Sequence, residues 1–83
     1  MHKILLTKRA EKELQALSKQ MSLRIGSSLD ELSATGVKSS NVKKLQTPFP
    51  GYRKRVGDYR ILFETNEEII VIYRITKRGE AYR

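Results

Sequence analysis

The sequence predicts a small α+β domain: a twisted antiparallel sheet with an N-terminal helical hairpin packed on one of its faces. Three observations carry that reading. Between residues 10 and 32, apolar side chains recur three and four apart, as on helices that bury one stripe. Residues 52–63 alternate around a Gly57-Asp58 pair, the pattern of a β-hairpin. Residues 69–75 are the most β-prone run in the chain. With 83 residues, the chain makes one domain over 1–83, whose core is just large enough to fold without staples.

The elements follow in order. Residues 2–6 are a short apolar run suited to a first strand, and Thr7 is placed to cap the helix after it. Ala10, Leu14, Leu17 and Met21 make the stripe of a first helix of about three turns. Lys8, Arg9, Glu11, Glu13 and Lys19 occupy its other side. A second helix carries Met21, Ile25, Leu29 and Leu32, with Ser22 as its cap, and Gly36 ends it. Two helices so closely linked form an antiparallel hairpin that covers the sheet. Residues 38–50 read as a loop: Ser39, Ser40 and Asn41 supply turn chemistry, Lys43, Lys44 and Leu45 a short turn, and Pro48 and Pro50 limit regular structure. The hairpin comes next. Asn66, Glu67 and Glu68 turn the chain again into the last strand, whose near-continuous hydrophobicity predicts burial on both faces. The expected order is β-α-α-β-β-β.

Composition excludes several chemistries. Cysteine is absent, which removes disulfides and thiolate metal sites. His2 is the single histidine, so neither a histidine-built metal site nor a Ser-His-Asp triad is available. No apolar run approaches the roughly 20 residues of a membrane span, and the expectation is a soluble, cytoplasmic protein. Seventeen Lys and Arg against nine Asp and Glu leave a formal charge of +8, a field that draws in polyanions.

The arginines concentrate in the second half, at positions 53, 55, 60, 74, 78 and 83. Arginine is the better bidentate ligand for phosphate, which places the anion-reading surface there. Alternation puts Arg53 and Arg55 on one face of the first hairpin strand and Tyr52, Lys54 and Val56 on the other. Past the turn, Tyr59, Ile61 and Phe63 point to the core, while Arg60 joins Arg53 and Arg55. Like charges so gathered repel one another, and a polyanion seated on that patch is the physical reason to keep them.

The run from Tyr52 through Glu64, followed by a hydrophobic strand and then Lys77-Arg78-Gly79-Glu80-Ala81-Tyr82-Arg83, resembles the signature of RelE-like toxins in the RelE/ParE superfamily. The element order agrees along essentially the whole chain. The resemblance implies the RelE-like fold and the toxin of a type II toxin–antitoxin pair, a metal-independent endoribonuclease that cuts messenger RNA on the ribosome and needs no cofactor. It implies an acidic antitoxin as partner, in a heterodimer or heterotetramer. Carried over residue by residue, it makes Arg53, Arg55, Arg60, Arg78 and Tyr82 catalytic: Arg60 binds the scissile phosphate, Arg78 stabilises transition-state charge, and Tyr82 positions or stacks on a base and helps proton transfer. Lys43, Lys44, Lys54, Arg74, Lys77 and Arg83 are expected to contact RNA. ParE-type relatives, which inhibit DNA gyrase, share the fold and are the alternative.

The sequence departs from the pattern at three places. Arginine stands at 53 and 55 where lysine is common, Lys77 stands where many relatives carry histidine, and Lys54 occupies a position usually apolar and inward. Arginine, with a pKa above roughly 12, is a poor general base. Tyr82 is therefore the preferred proton-transfer group, with Lys77 or Lys54 next. Arg74 has two readings, an ion pair with Glu64 across the sheet or membership of the phosphate patch.

Overall fold

The computed structural model describes residues 1–46 and 51–77. β1 (Lys3–Leu6) leads into α1 (Lys8–Gln15) and α2 (Lys19–Thr35); a 3-10 turn (Gly36–Lys38) then precedes β2 (Val42–Lys44), β3 (Tyr52–Val56), β4 (Tyr59–Thr65) and β5 (Ile69–Lys77). The sheet runs β1-β5-β4-β3-β2. The α+β class and the helix-covered sheet agree with expectation, but the sheet has a fifth strand and is mixed, since β1 pairs with β5 in parallel.

Local chemistry explains the boundaries. The Thr7 hydroxyl accepts from the Ala10 amide at 3.1 Å, as its capping position predicted. Ser18, rather than Ser22, caps α2 by accepting from the Met21 amide at 3.2 Å. The extended backbone at Ser18 stops the first helix after 8 residues, shorter than the three turns expected, and Ser22 lies inside α2 with its amide on the Ser18 carbonyl. Gly36 ends α2 at φ +59, where the His2 ring packs so close that a Cβ would sit 2.8 Å from it. Glycine is required there on both counts.

β2 replaces the expected turn at residues 43–45. It is an edge strand pairing Val42, Lys43 and Lys44 with Lys54, Arg53 and Tyr52. Asn41, in the left-handed region at φ 61, ends that ladder by offering its carbonyl to the Arg55 amide. Two lysines on a short strand suit an edge that must not recruit another chain.

The core lies between α2 and one sheet face. Ala10 of α1 and Ile25, Leu29 and Leu32 of α2 pack on Val56, Ile61, Phe63, Ile70, Ile72 and Ile75. Ile72 and Ile75 both reach this core although three positions separate them, because Tyr73 is an extra residue in a bulge opposite Leu62 and Phe63. No helix among the described residues covers the other face. There Ile69 and Val71 are only half-buried, so the last strand is not buried on both faces as expected. No helix among the described residues is long and apolar enough to cross a membrane.

Candidate nucleic-acid interface

β3 and β4 are joined through Gly57, which takes φ +59, and Val56 pairs with Tyr59, Arg55 with Arg60 and Arg53 with Leu62. Paired residues project to the same side, so Arg53, Arg55 and Arg60 share the face away from the helices, as alternation predicted. Lys43, paired with Arg53, extends this set onto β2. Like charges directly opposite across a sheet are destabilising, yet Arg55 faces Arg60 directly. Among the described residues none of these three arginines has a carboxylate partner; the ion pairs are Lys54–Glu31 and Arg74–Glu13. The Arg60 Nε is buried with no hydrogen-bond partner among the described residues. A buried, unsatisfied guanidinium donor costs free energy unless an acceptor meets it.

Beside these cations lies a small apolar patch that sequence reasoning missed. Leu45 and Leu62 are buried on the uncovered side with Tyr73 packed against them.

Two expected RNA contacts already hold a carboxylate: Lys54 on the helix side, and Arg74, which pairs with Leu62 across the sheet and so belongs by register to the uncovered side. Lys54 is 2% exposed and projects to the helix side with Tyr52 and Val56. Its Nζ donates to Ser40 O at 2.6 Å, Ser39 Oγ at 2.7 Å and Glu31 Oε2 at 3.2 Å. The strand period turns it inward, and a buried ammonium is tolerable there only because every donor is used. In this structure it is not part of the cationic face. Arg74 pairs with Glu13 rather than Glu64: its Nε donates to Glu13 Oε2 at 3.0 Å, and Glu13 Oε1 accepts the Ile75 amide at 2.8 Å. β1 has ended by that point, and the α1 carboxylate satisfies an edge amide of β5 that β1 no longer reaches. Lys44 and Lys77 are exposed but paired with Tyr52 and Tyr59, which assigns them by register to the helix side. Arg78, Tyr82 and Arg83 lie outside the described residues.

Glu31 was also missed. Its Oε2 accepts from the Ser39 hydroxyl at 2.6 Å, the Ser40 amide at 2.7 Å and the Ser40 hydroxyl at 2.8 Å, besides Lys54. The Ser39 hydroxyl above all, then Ser40 and Lys54, lower its pKa from the ordinary 4.5 to about 2. The network ties the 39–40 segment to α2 and β3, and a lysine at an inward position is the signal that a buried acceptor had to exist.

Unpaired guanidinium groups on an otherwise firm sheet can bind phosphate and stabilise negative charge that develops on it. Comparison with known proteins gives this surface a context. The family model described as "ParE toxin of type II toxin-antitoxin system, parDE" matches residues 4–82. The archaeal RelE–RelB complex from Pyrococcus horikoshii OT3 contains a chain 30% identical, with a TM-score of 0.81 over 96% of this chain and 98% of that one. A RelB–RelE antitoxin–toxin complex from Methanococcus jannaschii is 29% identical with a TM-score of 0.76, covering 94% of each chain. The E. coli DinJ–YafQ toxin–antitoxin complex shares the fold at 11% identity, with a TM-score of 0.78 over 99% and 98%. No curated protein sequence matches the chain.

Proposed function

Given that the chain belongs to the ParE toxin family of type II toxin–antitoxin systems and is a RelE-like toxin, we propose that it acts as a metal-independent endoribonuclease on messenger RNA in the ribosome. The observation that carries this reading is the contrast in pairing. Lys54 and Arg74 each have a carboxylate, whereas Arg53, Arg55 and Arg60 have none among the described residues and project from the face no described helix covers. Cations kept unpaired and mutually repelling suit a phosphate ligand.

In the proposed reaction the ribose 2′-hydroxyl attacks the adjacent phosphate, so the nucleophile comes from the substrate itself. The protein supplies in-line geometry and charge on the phosphorane. Arg60 holds the scissile phosphate, Arg53 and Arg55 neutralise the developing charge, and Arg78 joins them from the C-terminal segment. Tyr82 assists proton transfer and base stacking, Lys43 and Arg83 follow the RNA backbone, and Lys44 and Lys77 lend long-range attraction. The chain works as one domain over 1–83, in the cytoplasm where ribosomes are.

The partner that restrains it is an acidic antitoxin, in a heterodimer or heterotetramer; the archaeal RelE–RelB and RelB–RelE structures are themselves toxin–antitoxin complexes. The ParE description of the matching family favours one second reading, inhibition of DNA gyrase without RNase activity. Adding the protein to a translation extract and mapping messenger ends, beside a gyrase supercoiling assay, separates the two. Discrete cuts within codons support the endonuclease; intact messages with gyrase-dependent DNA breaks overturn it.

A further inference from the structure

Arg24, Ser27, Ser28 and Glu31 stand at i, i+3, i+4 and i+7 of α2, so they form a polar stripe beside its apolar one. The stripe faces the end of β3 that β2 no longer covers, since the β2 ladder reaches only to the Val42–Lys54 pair. Between them lies an open cleft of about 350 Å³ walled by Arg24, Ser27, Ser28, Asn41, Arg55 and Gly57. Glu31 also lines it, but its Oε2 is already engaged by Ser39, Ser40 and Lys54. Arg24 and Arg55 both border the cleft, and neither has a carboxylate partner among the described residues. The Arg24 guanidinium lies so close to the hairpin turn that a Cβ on Gly57 would be 3.2 Å from its Nη1.

We propose that this cleft is a second phosphate site, holding a backbone phosphodiester of the RNA next to the one bound at Arg60. The inference rests on the endonuclease reading and extends it. The Arg24 fork suits the free oxygens of a phosphodiester, Arg55 adds positive charge at the β3 wall, and serine hydroxyls and an asparagine amide are ordinary neutral donors to it. Arg55 joins the two places: it faces Arg60 across the hairpin and also walls the cleft. A strand held at Arg60 is thereby continued over the Gly57 turn toward α2, which fixes the direction in which RNA crosses the toxin.

The test uses a fluorescein-labelled 2′-O-methyl RNA oligonucleotide, which binds but lacks the attacking hydroxyl. Its dissociation constant is measured by anisotropy over a salt series for the wild type, Arg24→Ala, Ser27→Asp and Lys3→Ala. Arg24→Ala is expected to weaken binding about tenfold and to reduce the slope of log K against log salt by about one. Ser27→Asp, which places a carboxylate in the cleft, weakens binding too. Lys3→Ala makes the same charge change on β1, at the far end of the sheet, and leaves both quantities as they were. Equal behaviour of Arg24→Ala and Lys3→Ala, or no binding by the wild type, overturns the second site even where messages are cut in extract. Arg24→Ala weakening an acidic peptide but not RNA overturns it in favour of a protein ligand. Arg24-dependent RNA binding without any message cutting supports the site and fails only the endonuclease reading.

Discussion

Arg53, Lys54 and Arg55 are consecutive cations on one strand with opposite surroundings. Lys54 is 2% exposed and spends its ammonium on Ser39, Ser40 and Glu31, while its two neighbours project to the other side without a carboxylate among the described residues. The difference comes from the two-residue period of a strand. What it teaches concerns charge as a signal. An inward cation must be neutralised whatever the protein does, so its pairing reports stability; an outward cation facing another cation has no such stabilising reason to be there.

The comparison breaks first where a charge is placed on the wrong side. Ile61 pairs with Lys54 across the hairpin and is 0% exposed. Ile61→Asp buries a carboxylate in the apolar core, at a cost of several kcal/mol, comparable with the whole stability of a domain this small. Circular dichroism is expected to find it unfolded at room temperature; a soluble, cooperatively melting variant would mean that the two faces are assigned in reverse. On the outward side the effect falls on activity instead. Arg60→Ala is expected to lower messenger cleavage on the order of a hundredfold or more, yet to melt close to the wild type, because relief from Arg55 offsets the packing lost with the stem. Collapse of its melting temperature would make Arg60 a structural residue.

Lys54 gives the next, smaller effect. Lys54→Ala removes a buried stem and leaves the serine–glutamate network without its donor, for about 2–3 kcal/mol in urea unfolding. Lys54→Met keeps the volume and is expected to recover the packing part of that loss but not the part due to the missing donor. Two variants equally unstable would show that the ammonium itself, rather than the packed stem, is what β3 requires.

Much of this contrast is legible in the sequence, because it depends on local rules. Alternation separates Lys54 from its neighbours, Gly57 takes the turn, Thr7 caps α1 with its hydroxyl, and Gly36 ends α2 by taking a positive φ. What stayed hidden depends on contacts between distant residues. β2 is three residues with two lysines and forms because β3 offers a free edge, which no propensity in 42–44 announces. The parallel pairing of β1 with β5 joins residues more than sixty positions apart. Arg74 finds Glu13 because a bulge at Tyr73 resets the strand and because β1 ends before Ile75, so α1 meets an unpaired amide. The Leu45, Leu62 and Tyr73 cluster likewise joins side chains from β4, β5 and the segment after β2.

The smallest expected effect concerns the acid that makes the inward lysine possible. Glu31 titrates at about 2 in the folded protein, against an ordinary 4.5, because the Ser39 hydroxyl, the Ser40 hydroxyl and amide, and Lys54 all favour its charged form. Between those two values the unfolded chain takes up a proton that the folded chain refuses, so acid favours unfolding there. The stabilisation from Glu31 is fully present above 4.5 and is lost as pH falls toward about 2. Its side chain remains 42% exposed, so water screens the effect and keeps it modest. Glu31→Gln removes the titration while keeping the shape of the side chain. Urea midpoints of both proteins, compared across this pH range, are expected to differ most at the upper end and to converge as Glu31 protonates. A difference that stays constant down to pH 2 would show that Glu31 takes up its proton alike in the folded and unfolded chains, so that its charge is not what the serines and Lys54 stabilise.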